Sequence, residues 1–287
     1  MSAPSCKNCG APLTGPYCAQ CGQRDLPLRE PFWTVLARGL AAVFSLDSRV
    51  GRTLRPFCLQ PGRLTVEFNA GRRTAYSSPL RLYLLTSLLL FFVIGVQQRL
   101  GNWSEPEEPT QEELAELEVR EGGLQLDLGP EEDIRAFLGE DSLLYRGWSR
   151  QRARFERLPP DEQVGLFFSS ALAQMPTMLL LMLPVAALIL RLVLARTGYV
   201  YAEHMVFVLH VHAFYCAVLT LPALTQMPAL GGVAALAIPI YFVLAFRRAY
   251  AQSWRACLLR CALALPLYLA VFAPMLLGLI VLSVLAA

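Results

Sequence analysis

Residues 262–285 read ALALPLYLAVFAPMLLGLIVLSVL, a run with no charged side chain. A helix needs about 20 apolar residues to cross roughly 30 Å of hydrocarbon, so this stretch predicts a membrane span. Four more segments, near 80–98, 171–194, 204–222 and 229–246, are also long and apolar enough to cross. The second contains Pro176 and Pro184, the fourth Pro239 and the fifth Pro266 and Pro274. Prolines in spans free backbone carbonyls that neighbours or water must satisfy, so the pattern predicts kinked helices packed in a bundle. Composition agrees: of 287 residues 55% are hydrophobic and 16% charged, against about 25% charge in a soluble domain. Mean hydropathy is +0.44. The expectation is an all-α polytopic membrane protein with five transmembrane helices. The count turns on the fourth segment, with Gly231, Gly232 and Pro239, crossing fully.

The net charge of +3 conceals segregation. Residues 1–79 carry ten Lys/Arg against four Asp/Glu, and residues 99–162 carry seventeen acids against eight bases. Short basic loops mark the cytoplasmic side of a membrane protein. Arg191 and Arg196 follow the second span, and Arg247, Arg248, Arg255 and Arg260 follow the fourth. Five crossings put both loops on the side of the basic N-terminal region. The N-terminus is therefore expected in the cytoplasm and the C-terminus outside. Arg146, Arg150, Arg152, Arg154 and Arg157 precede the second span on the other side, but long loops translocate largely regardless of charge. No apolar h-region of a signal peptide is visible near the N-terminus.

The first residues carry a different signal. Cys6-Lys7-Asn8-Cys9-Gly10 and Cys18-Ala19-Gln20-Cys21-Gly22 form a C-x2-C-x8-C-x2-C pattern. Two such knuckles can turn four thiolates onto one tetrahedral zinc ion. Glycine after each second cysteine suits a backbone that must enter positive φ. Two disulfides are the competing reading. The spacing and the absent signal sequence favour zinc on Cys6, Cys9, Cys18 and Cys21. Cys58, Cys216, Cys257 and Cys261 read as small apolar residues.

Between ribbon and first span, Phe32, Trp33, Leu36, Leu40, Val43 and Phe44 fall on one helical face. That helix could lie in the membrane interface or pack on other helices. A basic stretch follows, with Arg49, Arg52, Arg55, Arg63, Arg72 and Arg73, broken by Pro61-Gly62 and Gly71. Arginines at this position hold topology and attract anionic lipid; Arg55, Arg63, Arg72 and Arg73 are the basic juxtamembrane candidates. A nucleic-acid role is disfavoured, because aromatic residues are not interleaved for base stacking. The expected organisation is a ribbon at 1–25, juxtamembrane helices at 26–79, a first span at 80–98, an acidic outer loop at 99–167 and a four-span bundle at 168–287. In the loop, Thr110 and Glu113 fit a capping box, and Glu131–Leu144 reads as a helix with Ile134, Phe137 and Leu138 together. Its composition suggests a solvated, partly helical spacer, with a ligand or partner platform as the alternative.

The entry to the third span reads Glu203-His204-Met205-Val206-Phe207-Val208-Leu209-His210-Val211-His212 and holds all three histidines. Ionisable groups inside a membrane are costly and default to a functional hypothesis. Seven residues bring Glu203 and His210 to within about 20° on a helix, whereas His212 points nearly opposite His210. One helix therefore cannot gather these groups into one site, and the other spans add no Asp, Glu or His. Structural hydrogen bonding, a proton-linked or ligand-sensing role and an intramembrane metal site all remain open readings.

The order of motifs resembles an uncharacterised bacterial membrane family, domain of unknown function 3667. The resemblance is carried by Tyr17-Cys18-Ala19-Gln20-Cys21-Gly22-Gln23, by Pro61-Gly62-Arg63, by Gly71-Arg72-Arg73-Thr74-Ala75-Tyr76-Ser77-Ser78-Pro79-Leu80 and by the Glu203-to-His212 motif. It implies a zinc-ribbon protein of a bacterial inner membrane and supplies no catalytic residues. Phe68-Asn69-Ala70 stands where a Tyr-Leu pair is more typical, and the acidic loop has no counterpart. No nucleophile motif, phosphate-binding glycine loop or H-E-x-x-H is present. The expected function is a non-enzymatic membrane scaffold or sensor whose cytoplasmic zinc ribbon docks a protein partner or packs on the bundle. The alternative is a small proton- or ligand-coupled transporter or channel running past the third-span histidines.

Overall fold

A computed structural model describes residues 4–25, 49–101, 143–155 and 159–286, together with single positions between 132 and 157. The amphipathic helix expected at 32–46, the Thr110–Glu113 box and the apolar trio Ile134, Phe137 and Leu138 lie outside the described residues. Regular structure among the described residues is entirely α-helical, apart from two isolated bridges in the ribbon. The helices are α1 (Arg49–Leu59), α2 (Arg63–Asn69), α3 (Pro79–Gly101), α4 (Leu143–Phe155), α5 (Pro160–Val193), α6 (Tyr201–Thr225), α7 (Pro228–Ala249) and α8 (Trp254–Ala286). Among the described residues, five stretches are long and apolar enough to cross a membrane: Pro79–Leu100, Ser169–Val193, Tyr201–Thr225, Pro228–Ala249 and Trp254–Leu279. The segment at Gly231, Gly232 and Pro239 is a full-length helix, so five such helices stand.

Proline marks several starts. Pro79, Pro160 and Pro228 open α3, α5 and α7, where a missing N–H costs no helical bond. α6 starts differently: the Glu203 carboxylate accepts a 2.7 Å bond from the Val200 backbone N–H. That bond satisfies a donor left over at the helix start and sets negative charge against the positive end of the dipole.

The described residues fall into two compact units, 1–103 with 181–269 and 104–180 with 270–287. In the first, α6 is the central helix. Residues 204–214 are buried around its whole circumference, as expected of a helix apolar on every face. It packs along α3 and α7, and the short α2 rests against both α6 and α7. An aromatic seam joins the layers. Phe214 stacks on Tyr241 with ring centres 3.5 Å apart, and Phe57 of α1 meets Phe214 edge-on at 5.9 Å.

The turn between α1 and α2 is tied to α7. Pro61 has no N–H, so the Phe57 carbonyl lacks its helical donor. The Tyr241 hydroxyl donates to that carbonyl at 3.0 Å in a buried position. Gly62 then takes φ 77°, and a Cβ there would stand 2.5 Å from the Ala245 carbonyl oxygen. Only glycine fits both the backbone angle and the approach.

In the second unit, Ser142 precedes α4, and its Oγ accepts the Tyr145 N–H at 3.1 Å, the usual N-cap bond. Tyr145 and Trp148 are buried and stack at 6.1 Å, with Arg152 over the Trp148 ring at 5.1 Å. Within the stretch expected to be partly helical, α4 is a helix with packed aromatic residues, and α5 begins at Pro160, well ahead of its apolar part.

Candidate functional site

The ribbon repeats itself with a period of twelve residues. Cys6 N–H bonds the Ala11 carbonyl at 2.8 Å, and Cys18 N–H bonds the Gln23 carbonyl at 2.8 Å. Gly10 N–H returns to the Cys6 carbonyl at 2.8 Å, as Gly22 N–H does to Cys18 at 2.9 Å. The bridges Ser5–Pro12 and Tyr17–Arg24 also correspond. Gly10 and Gly22 take φ 80° and 70°, the positive angles foreseen for them.

This repetition points four thiols inward. The Cys6, Cys9, Cys18 and Cys21 sulfurs lie within 4.8 Å of one another. The pairs Cys6–Cys21 and Cys9–Cys18 stand at 3.6 Å. Four sulfurs at about 2.3 Å from one tetrahedral ion are about 3.8 Å apart, so the donor set fits zinc. The same spacing is far too long for an S–S bond of about 2.05 Å. Crowded thiols cannot all ionise alone. The Gln23 backbone N–H first, aided by Asn8, brings the Cys21 thiol down to about 6. At Cys9 the Ala11 N–H also pulls down, but burial and the other three thiols push it up to about 12. A cation would relieve that conflict.

The two knuckles differ where Ala11 corresponds to Gln23. The Gln23 side chain is buried and reaches out of the ribbon. Its Nε2 donates to the Gly71 carbonyl at 2.8 Å. Its Oε1 accepts from Arg73 N–H at 3.1 Å, Thr74 N–H at 3.3 Å and the Thr74 hydroxyl at 3.1 Å. One residue therefore has its backbone in the thiol cluster and its side chain in the loop leading to α3.

The third-span candidates are not brought together. Glu203 caps α6 as described. His204 Nδ1 is 2.8 Å from the Tyr250 hydroxyl, inside a cluster with Tyr199 and Phe207. His210 Nδ1 is 3.0 Å from the Thr65 hydroxyl of α2. His212 Nδ1 donates to the Val208 carbonyl of its own helix at 2.9 Å, which fixes its tautomer. Each histidine has its own partner.

The basic set also separates. Arg72 forms an ion pair with Glu67, whose carboxyl Arg72 holds below its ordinary value. Arg73 lies over the Phe68 ring at 5.0 Å. Arg55 and Arg63, with Arg52, line a cavity between α1, α2 and Tyr76. Sequence reading missed Gln23 and Thr65 as site residues, and placed Arg52 only in the general basic stretch. Only Gln23 carried a signal, as the polar residue that breaks the twelve-residue repeat.

Residues 47–91 match the family model described as a protein of unknown function (DUF3667). The match contains α1, α2, the Gly71–Thr74 loop and the start of α3, whereas the ribbon and the histidines lie outside it. No curated protein and no solved structure matches the chain.

Proposed function

We propose that the chain is a non-enzymatic integral membrane scaffold or sensor whose metal ribbon is clamped onto the segment entering the first span. The observation that carries this reading is Gln23, shared between the thiol cluster and the Gly71–Thr74 loop. Zinc, when bound, supplies folding free energy that a segment this short cannot obtain from a core. The Gln23 carbonyl and N–H hold the second knuckle, and its amide group holds the loop. A change at the thiols is then felt at the membrane entry, and the exposed side of the ribbon is the platform for a protein partner. In this account residues 1–25 are the docking module, 26–79 the relay, 80–98 and 168–287 the bundle and 99–167 the outer segment. The short basic loops support a cytoplasmic ribbon and an external C-terminus, and the family resemblance supports a bacterial inner membrane.

The test is metal content of full-length protein in detergent, beside a variant lacking the four ribbon cysteines and one lacking the three histidines. The expected result is one zinc per chain, lost only with the cysteines. Cys18→Ser is expected to make the ribbon protease-sensitive while membrane insertion persists; a ribbon that stays resistant sinks the reading. Separate bonding of Glu203, His204, His210 and His212 lends the transporter or channel alternative less support. Loss of a proteoliposome flux on His210→Ala, with folded protein retained, would overturn the scaffold in favour of that alternative.

A further inference from the structure

Two arginines of α1 and one of α2, all three exposed, converge on an open groove of about 540 Å³, and the described residues that line it include no carboxylate. Arg52 and Arg55 are three residues apart and so share a face of α1. Arg63 enters from the first residue of α2, after the Pro61-Gly62 turn folds it back. Gln60 and Tyr76 add an amide and a phenol to the wall. Like charges at this helical spacing repel, and a bound anion turns that repulsion into attraction.

The chemistry selects the anion. Guanidinium groups present paired N–H donors whose geometry matches phosphate oxygens, often two at a time. The groove is open to solvent, and its volume leaves room for more than a bare ion. Tyr76 is three residues before Pro79, where the first apolar helix begins, so the groove lies beside the entry to that helix. We propose that Arg52, Arg55 and Arg63 bind the phosphate group of a phosphate ester, with Gln60 and Tyr76 as neutral donors. That group can belong to a phospholipid or to a soluble ester, and the recognition chemistry is common to both.

The experiment uses the full chain in phosphate-free detergent, titrated calorimetrically with glycerol 3-phosphate and with dihexanoyl phosphatidic acid. R52Q/R55Q is compared with R196Q/R255Q, which removes equal charge from exposed positions outside the cavity. The expected result is binding of at least one probe, weakened about tenfold or more in the cavity variant and nearly unchanged in the control. Comparable binding of both probes identifies a soluble phosphate ester, and binding of the lipid alone identifies a headgroup; either supports the site. The proposal is overturned if neither probe binds wild type at about 1 mM, or if the control loses as much affinity. Phenylglyoxal footprinting of wild type keeps the test independent of variant folding. Bound probe should shield Arg52 and Arg55 but not Arg255, and equal labelling with and without probe also overturns it.

Discussion

Replacing Gln23 by alanine removes the clamp and leaves every ribbon backbone bond available. The Gln23 oxygen has two lone pairs, so its three contacts to Arg73 and Thr74 count as about two hydrogen bonds, and the Gly71 bond makes a third. At about 0.5–1.5 kcal/mol net for each, undocking becomes easier by about 2–4 kcal/mol. Since 1.4 kcal/mol is tenfold, the open population rises about 30-fold to several hundredfold. The assay is amide hydrogen exchange of the peptide holding Arg73 and Thr74, whose N–H groups Gln23 itself protects. Gln23→Ala should exchange there at least tenfold faster, with bound metal unchanged. Gln20→Ala is the control, the same side chain on the exposed side of the same knuckle. Unchanged exchange in Gln23→Ala, or equal acceleration in Gln20→Ala, refutes the clamp.

Gly62→Ala should destabilise the bundle by about 2–5 kcal/mol, combining left-handed strain with a Cβ only 2.5 Å from the Ala245 oxygen; an unchanged melting midpoint in detergent would contradict the close approach. His210→Leu should cost about 1–3 kcal/mol by stranding the buried Thr65 hydroxyl. Adding Thr65→Val should recover most of that loss, and a double-mutant cycle with no coupling would show the bond to be unimportant. The Glu67–Arg72 pair should stabilise the fold above the ordinary carboxyl value of 4.5 and fade as pH falls through the lower folded value. Because the Arg72 side chain is 38% exposed, the effect should stay under about 1 kcal/mol. Stability curves of wild type and Glu67→Gln that run parallel from pH 7 to acid would remove the pair from consideration.

Apolar length was the most legible property of the chain, because a helix crossing hydrocarbon has few alternatives. The second predicted span, 171–194, differs from Ser169–Val193 by two residues at its start. The fifth differs more: its window begins at Trp254 rather than 262, since the helix continues back through Arg255 and Arg260. Long arginine side chains tolerate a span end that a hydropathy reading excludes. Cysteine spacing foretold the close thiols because four ligands on one ion leave little freedom. Contacts between distant residues were not legible. Helical geometry showed that one helix cannot assemble the histidines, but nothing in the local sequence pairs Thr65 with His210, 145 positions away. The arginines read as one basic run, and only the Pro61-Gly62 turn reveals why Arg63 joins Arg52 and Arg55 while Arg72 turns to Glu67.

The juxtamembrane segment is where these separate features meet, and that has a thermodynamic consequence. Gln23 holds residues 71–74, and two positions later Tyr76 forms part of the cavity wall. The neighbouring Ser77 N–H is fixed in turn by the Thr53 hydroxyl at 2.9 Å, between Arg52 and Arg55 on α1. A docked ribbon thus orders a loop that is continuous with one wall of the cavity, while Thr53 ties the opposite wall to the same loop. Sites coupled through one ordered element influence each other equally in both directions. If the cavity binds phosphate esters, Gln23→Ala should weaken that binding, and saturating phosphate ester should slow exchange at Arg73 and Thr74 by the same factor, about 5-fold or more for a typical coupling. Affinity that is indifferent to Gln23 would leave the clamp and the cavity as two independent devices on one segment, and the sensor would then have to act through the ribbon's exposed side alone.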